Sequence, residues 1–547
     1  MLVRVSFAQA ARPFRGVAPF GTWLRPAAIM AGLIGCAVLV RLPFLSDAGA
    51  DESFYLVVAR QWLEGMPPYA NAFDVKPPLL FALMAAAETL FGPSLLAAKT
   101  LTMAAVSATA CALYLFGRRF IGELSGVAAA LFYIAASLTL SGTFSPAELI
   151  MAPFIAFGML AGFAAIAPER PRLWLAAGAG VLFGAAACVK QTAIFEALPL
   201  TAFLVLRRPP GDGRKALCAF ASGCLVVPAG FALLFLSDGH FDALFRDVVV
   251  SAVGRMGAQY VAWSAVFMRF GIELLLVAPL VILEAAAWFF RGVFRAERAR
   301  FALGFLAAWA AGALGGVLAG RAMCDFYMLA ALPPFCLLSG VFLEHGVARS
   351  RALRGTRTVA FASVMIFFAT AVCCLSYNIA DRGAADEAAT AMRSAGLRGD
   401  DRILVVDRDL SVYLASGANP PTPVFHPLQL LCDFAFEGAS TAFADSLQSR
   451  PAFIVVADPA YTLGCEKPGR RGLLMSTLAD DYRVVGRFGS IRGAERHGVF
   501  AVYGLKAHAL DPVSPPLSET YVTSGVNSAE FQRSEFRGDL ATCRGPR

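Results

Sequence analysis

Runs of apolar residues, nearly free of charge and close to the roughly 20 residues needed to cross a bilayer core, recur along the whole chain. Ala27 to Val40, Leu124 to Leu140, Phe220 to Leu236 and Phe301 to Ala319 are four of them. Backbone polar groups in lipid must satisfy one another, so such runs fold as helices. One soluble core has no use for so many. Only 16% of residues are charged, against about a quarter in a soluble domain. The fold class that follows is a polytopic α-helical membrane protein.

The net charge of +8 does not point to nucleic acid, because the arginines sit in short segments between apolar runs. Arg4, Arg12, Arg15 and Arg25 precede the first run. Further clusters fall at Arg118-Arg119, Arg170 with Arg172, Arg207-Arg208, Arg291 to Arg300 and Arg349 to Arg357. The alternating connections are poorer in Lys and Arg, so the basic set is cytoplasmic and the N-terminus lies inside. This alternation gives about eleven spans, near 26-45, 95-116, 124-141, 147-167, 173-189, 191-206, 216-236, 269-290, 301-320, 327-343 and 358-378. The pair at 173-206 is short for two crossings. An odd count places the C-terminus outside. Ala48-Gly49-Ala50 resembles a signal-peptidase site, but the apolar stretch before it exceeds the ~7 to 15 residues of a signal core, so the first span is read as retained.

Residues 1-378 form the membrane domain, with two longer outward loops, 46-94 and 237-268. In the second, Phe241, Leu244, Phe245, Val248 and Val249 recur at helical spacing, which suits a helix lying along the interface as a connector. Residues 380-506 have the composition of a small external α/β domain: a helix over Ala384 to Ala395, strands over Arg402 to Val406, Ala452 to Val456 and Val499 to Tyr503, and turns at Asp407-Arg408-Asp409 and Asn419-Pro420-Pro421. Residues 507-547, rich in Ser, Pro and Arg, read as a disordered tail. Nine of the 12 cysteines lie in or beside apolar runs and read as inert small hydrophobes. Cys432 and Cys465 fall in the external domain, where an oxidising compartment permits a bridge, with Cys543 a competing partner. No Cys or His spacing suggests zinc.

The first outward loop concentrates the chemistry. The segment from Asp51-Glu52 to Gly65 has helix start and stop signals, with Asp51 as a candidate N-cap. Phe54, Tyr55, Val58 and Trp62 would form one apolar face resting on the membrane. Asp51 has a bland reading as a cap alone. The loop continues, however, through Tyr69 and Asp74 to Lys76-Pro77-Pro78. A lysine here is either a snorkelling interfacial anchor or a point charge for a phosphate. A carboxylate and a cation on one loop at the bilayer face suit a lipid-phosphate substrate: one takes a proton from an acceptor hydroxyl while the other stabilises the departing phosphate.

The run from Arg41 through Asp51-Glu52, Tyr55, Ala59, Gly65, Tyr69, Asp74 and Lys76-Pro77-Pro78-Leu79-Leu80 resembles the opening signature of the GT-C glycosyltransferases. It is closest to the branch holding protein O-mannosyltransferases, the lipid A aminoarabinose transferase and the rhizobial lipopolysaccharide galacturonosyltransferases. The resemblance implies a GT-C-like fold and an inverting, inner-membrane transferase. Such an enzyme takes a sugar from a polyprenyl-phosphate carrier and passes it, on the periplasmic side, to a lipid, glycan or protein acceptor. It also implies that Asp51 is the acceptor-activating carboxylate, supported by Glu52, and that Lys76 sits by the donor phosphate. Lys99 stands where the family often has arginine, Glu148 where a second acid opens the fourth span, and Lys190 where a lysine ends a later span. Arg321 and Tyr327 belong to the family's late external turn. There Phe326 replaces the usual His, so a contact carried by that His falls to Arg321 or Asp325, or is lost. Tyr69 and Asp74 complete the expected substrate-binding set. No cofactor is demanded; Glu52 and Glu148 would bind a divalent cation if one is used. The competing class, a transporter or lipid flippase, should show paired repeats or broken helices in both halves, and the sequence shows neither.

Overall fold

The computed structural model describes residues 24-166, 172-206, 210-257, 263-289, 297-319, 324-346, 354-376, 383-406, 410-432, 436, 438-457, 466-488, 491-492, 495-496 and 500-507. The expected turn at Asp407-Arg408-Asp409 and nearly all of the expected tail, from residue 508 on, lie outside them.

Each of the eleven expected spans coincides with a helix or a broken helix pair. Among the described residues, six helices are long and apolar enough to cross a membrane by themselves, or seven if the bent pair Trp263–Leu276 and Ala278–Phe289 is one span. The remaining four expected spans fall on shorter apolar helices, including the closely spaced pair Leu173–Val189 and Ala193–Leu206. This is a multi-pass membrane protein. The bent pair, which hydropathy reads as one continuous span, turns by 82° at Val277. Pro279, two residues on, has no N–H to donate and fixes its own φ, which suits the first turn of the second helix.

The chain divides into two compact units. The first comprises residues 1-43, 101-234 and 263-374. Its helices approach closely where glycine allows it: a Cβ on Gly180 would stand 2.0 Å from the Phe220 carbonyl oxygen, and one on Gly126 would stand 2.4 Å from that of Tyr114. Small residues at such crossings let backbones meet in lipid, where hydrophobicity offers no drive to associate.

The second unit gathers residues 44-100, 235-262 and 375-547, so the two longer loops fold with the C-terminal domain. That domain carries a four-stranded mixed sheet. Strand β1 (Ile403–Val406) runs parallel to β2 (Phe453–Ala457). A two-stranded ribbon, β4 (Ile491–Arg492) with β5 (Glu495–Arg496), follows β3 (Tyr482–Phe488), and β6 (Phe500–Leu505) returns antiparallel between β2 and β3. The order is β1-β2-β6-β3. Leu404, Ile454, Leu430, Phe443, Leu474 and Tyr482 pack a core beside it, with the Tyr482 hydroxyl donating to the Pro451 carbonyl at 2.8 Å. The expected helix is Ala384–Ser394. The second of the longer loops is helical as expected, but a π-helical turn, Arg246–Ser251, interrupts it and buries Asp247.

Cys432 is disulfide-bonded, while Cys465 and Cys543 lie outside the described residues. Cys324, which the sequence groups with the inert membrane cysteines, is disulfide-bonded as well. Its position at the turn before Asp325–Ala331, outside regular helix, removes it from the lipid-facing set.

Candidate functional site

The loop helix runs from Ala50 to Leu63 and begins two residues earlier than an Asp51 cap implies. Gly49 is its N-cap, so Asp51 is not the cap. The Glu52 carboxylate reaches back to the Gly49 N–H at 3.3 Å and satisfies that end instead. Gly65, with φ +85°, supplies the left-handed residue just past the far end. The helix does not rest one face on lipid, since every residue from Glu52 to Gln61 is buried. Phe54 packs on Phe425 of the C-terminal domain with tilted rings whose centroids are 4.7 Å apart, and Tyr55 meets Phe81 edge to face at 6.1 Å. Arg60 donates to the carbonyls of Tyr413 at 3.2 Å and Ala418 at 2.8 Å.

With the cap provided by Glu52, the Asp51 carboxylate is released for other partners. Its Oδ2 accepts from the Tyr55 hydroxyl at 3.0 Å and lies 3.7 Å from Lys76 Nζ. Its Oδ1 faces His426 Nε2 at 3.5 Å. A third of the Asp51 side chain remains exposed. Partial burial works against its charge, but Lys76, His426 and the Tyr55 hydroxyl together outweigh burial and hold the carboxyl well below the usual range. It is an ionised carboxylate with an open side.

Lys76 is held in place by its neighbours. The Tyr69 hydroxyl donates to the Lys76 carbonyl at 2.8 Å, from a backbone with φ +69°. That conformation is strained for a bulky side chain, by roughly 1–3 kcal/mol, and packing against Phe81 and Phe235 maintains it. Asp74 bonds the Val75 N–H at 2.7 Å and sets its other oxygen 3.9 Å from Lys76 Nζ. The ammonium also lies 4.8 Å above the centre of the Tyr55 ring.

Glu52 and Lys99 form a different kind of pair. Their charged atoms are 3.0 Å apart and both side chains are almost wholly buried. In the first unit, Glu148 opens the helix Ala147–Ile166 and Lys190 follows the end of Leu173–Val189, positions that suit their charges to the helix dipoles. The two are ion-paired, and Lys190 Nζ stands 3.9 Å over the Tyr327 ring. A small cavity there is lined by these three residues and by Thr192 and Glu196. Glu196, which motif reading passed over, accepts from Trp309 Nε1 at 2.7 Å; an acid within an apolar run was its available signal. His426 was also missed, and a His-Pro pair in a soluble segment carries no motif that would have found it.

The structure thus brings Asp51, Tyr55, Tyr69, Asp74 and Lys76 together, with Glu52 and Lys99 on the same unit. Glu148, Lys190 and Tyr327 meet in the other unit. Arg321 lies outside the described residues, and of Asp325 only the backbone is described. Among the described residues no group of three or more His, Cys, Asp or Glu side chains is placed to hold a metal ion.

A family model described as dolichyl-phosphate-mannose-protein mannosyltransferase matches residues 75–233. No curated protein matches the chain by sequence. Among solved structures, ArnT from Cupriavidus metallidurans bound to undecaprenyl phosphate is similar with a TM-score of 0.62 and 15% identity, over 91% of this chain and 100% of that one. The apo state of the same protein gives 0.62 and 16%, over 89% and 100%. The arabinofuranosyltransferase AftD from Mycobacteria gives 0.50 and 15%, over 90% of this chain and 40% of that one. The chain has the fold of the GT-C membrane glycosyltransferases.

Proposed function

We propose that the protein transfers a sugar from a polyprenyl-phosphate carrier to a lipid, glycan or protein acceptor at the outer face of a bacterial inner membrane. The observation that carries this reading is the Asp51–Lys76 couple: a carboxylate kept ionised and one-third open, 3.7 Å from a cation fixed on the same loop. The acceptor oxygen attacks the anomeric carbon and gives its proton to Asp51. The bond from that carbon to the phosphate oxygen breaks, and Lys76 stabilises the charge gathering on the phosphate. Polyprenyl phosphate leaves readily as an anion, so no general acid is required. Displacement from the opposite face inverts the anomeric centre, as the family resemblance implies. Glu52 with Lys99 sets the position of the loop helix. Glu148, Lys190 and Tyr327 form a second polar site for donor or acceptor, and Arg321 belongs to the same late turn. No step is routed through a divalent cation. The arginine-rich connections on the other side support the outward orientation.

The test is mass spectrometry of envelope glycans, lipids and proteins from cells with the wild-type protein, cells without it, and cells carrying Asp51→Asn. A sugar present only with the wild type identifies donor and acceptor together. A full complement of that sugar in cells whose only copy is a membrane-inserted Asp51→Asn protein would sink the mechanism.

A further inference from the structure

The structure assigns to His426 the positioning of the Asp51 carboxylate, so that the C-terminal domain completes the transferase site; this rests on the transfer reaction proposed above. His426 is the N-cap of the short helix Pro427–Leu431, and its Nδ1 accepts the Leu428 N–H at 3.3 Å. A ring nitrogen that accepts carries no hydrogen, so in the neutral imidazole the proton sits on Nε2. That nitrogen faces Asp51 Oδ1 at 3.5 Å and has no closer hydrogen-bond partner. A buried N–H without an acceptor is unfavourable, and Asp51 Oδ1 is the carboxylate oxygen beside it. Hydrogen bonds of a catalytic site are often long before substrate arrives and tighten with it.

Three contacts keep the imidazole there. Phe54 packs against the ring edge to face at 5.3 Å, and Phe425 packs on Phe54 in turn. Arg60 clamps the carbonyls of Tyr413 and Ala418, and the Phe73 N–H donates to the Pro423 carbonyl at 2.9 Å. The segment leading into His426 is therefore tied to the loop helix and to the loop before Lys76.

The consequence is geometric. A carboxylate offers about four acceptor positions, two on each oxygen. Tyr55 bonds Oδ2 and Lys76 lies 3.7 Å from the same oxygen, while His426 Nε2 faces Oδ1 at 3.5 Å. The remaining position is on Oδ1, the oxygen that His426 orients, and there an acceptor hydroxyl can deliver its proton. Among the described residues, Tyr55 from the same helix, Lys76 from the loop and His426 from the C-terminal domain are the titratable groups that face Asp51, and all three favour its charged form.

Two substitutions separate this role from the capping role. In His426→Asn the side-chain oxygen can still cap Leu428, since asparagine is a good N-cap, but its nitrogen stops short of Asp51. In His426→Gln the longer side chain restores a donor toward Asp51. With full-length protein in proteoliposomes, and the donor and acceptor identified by mass spectrometry, His426→Asn is expected to lower kcat about tenfold at unchanged donor KM. It is also expected to move the acid limb of the kcat–pH profile upward, because one of the groups that hold the Asp51 carboxyl low is lost. His426→Gln should recover most of both. Wild-type kcat and pH profile in His426→Asn would overturn the assignment, as would equal losses in Asn and Gln variants or a change confined to KM. If Asp51→Asn is itself fully active, the transfer mechanism fails; if it is inactive while His426→Asn behaves as wild type, only this inference fails.

Discussion

Two acids adjacent in sequence, Asp51 and Glu52, each face a lysine in the same unit, and the two pairs differ in every property that decides a role. Glu52 and Lys99 are in contact at 3.0 Å and sealed from solvent. Asp51 and Lys76 stand 3.7 Å apart, with a third of the carboxylate and a sixth or so of the lysine side chain open. One residue along a helix rotates a side chain by about 100°, enough to turn one acid into the protein and the other toward a site. A closed pair has satisfied its charges and holds structure. An open pair has charge left for a substrate.

The comparison breaks most visibly at Asp51. Asp51→Asn removes the charge and leaves shape and size unchanged, so transfer should fall by about 10³ to 10⁴, the upper range for a general base, while the melting temperature falls far less than in variants of the sealed Glu52–Lys99 pair, because the Asp51 side chain is one-third exposed. The readout is initial rate in proteoliposomes beside a thermal melt. An equal loss in the melt would place Asp51 with Glu52 as structural.

The reverse is expected of the closed pair. Glu52→Gln or Lys99→Met alone leaves a buried charge without its partner, and loss of one member of such a pair costs about 3–5 kcal/mol of stability. The double variant Glu52→Gln with Lys99→Met removes both charges and should recover much of that loss. A double-mutant cycle in melting experiments measures the difference. If the single variants melt as wild type and lose only activity, Glu52 belongs to the chemistry.

Lys76→Ala should lower the rate by about 100-fold, near the lower end for removing one charge-stabilising donor. Its pH profile should also show the Asp51 acid limb displaced upward, because the Lys76 charge is the largest single cause that holds that carboxyl down. A rise in donor KM at unchanged kcat would instead show that Lys76 grips the phosphate equally before and during transfer.

How much of this could be read from sequence follows from how local each signal is. A span is specified by its own twenty or so residues, which is why all eleven expected spans fall on helices. The break near Val277 escaped hydropathy because Pro279 is apolar too. In the C-terminal domain β1, β2 and β6 are short apolar runs and were legible, whereas β3, Tyr-Arg-Val-Val-Gly-Arg-Phe, has arginines along it and a bulge between Val484 and Gly486. Asp51, Tyr69, Asp74 and Lys76 were legible as a group because one loop carries them. His426 was not, because its partner is chosen by the packing of Phe54 on Phe425. The same limit applies to Glu52: its cap and its lysine become visible only once the helix start is fixed at Ala50.

Asp247 extends the comparison to a third acid of the same unit, one that is buried yet badly partnered. It is 1% exposed, takes Arg246 Nε on Oδ1 at 3.0 Å, and leaves Oδ2 without a hydrogen bond. Burial, with Asp74 nearby and only partly offset by Arg246, pushes its carboxyl up to about 6. A carboxyl whose folded value lies above its unfolded one, near 3.8, binds its proton more tightly in the folded state. The fold is then favoured at low pH and loses stability as pH rises through the window from about 4 to 6. Asp247→Asn should therefore stabilise the protein at pH 8 by up to about 3 kcal/mol, since each tenfold change in proton affinity is worth ~1.4 kcal/mol and the carboxyl is raised from 3.8 to about 6, and the gain should vanish near pH 4. Thermal melts of the two proteins at both pH values test this. A gain equal at both would mean that charge is not the cause, and a loss at pH 8 would mean that Asp247 is ionised with a partner as good as the one Glu52 has in Lys99.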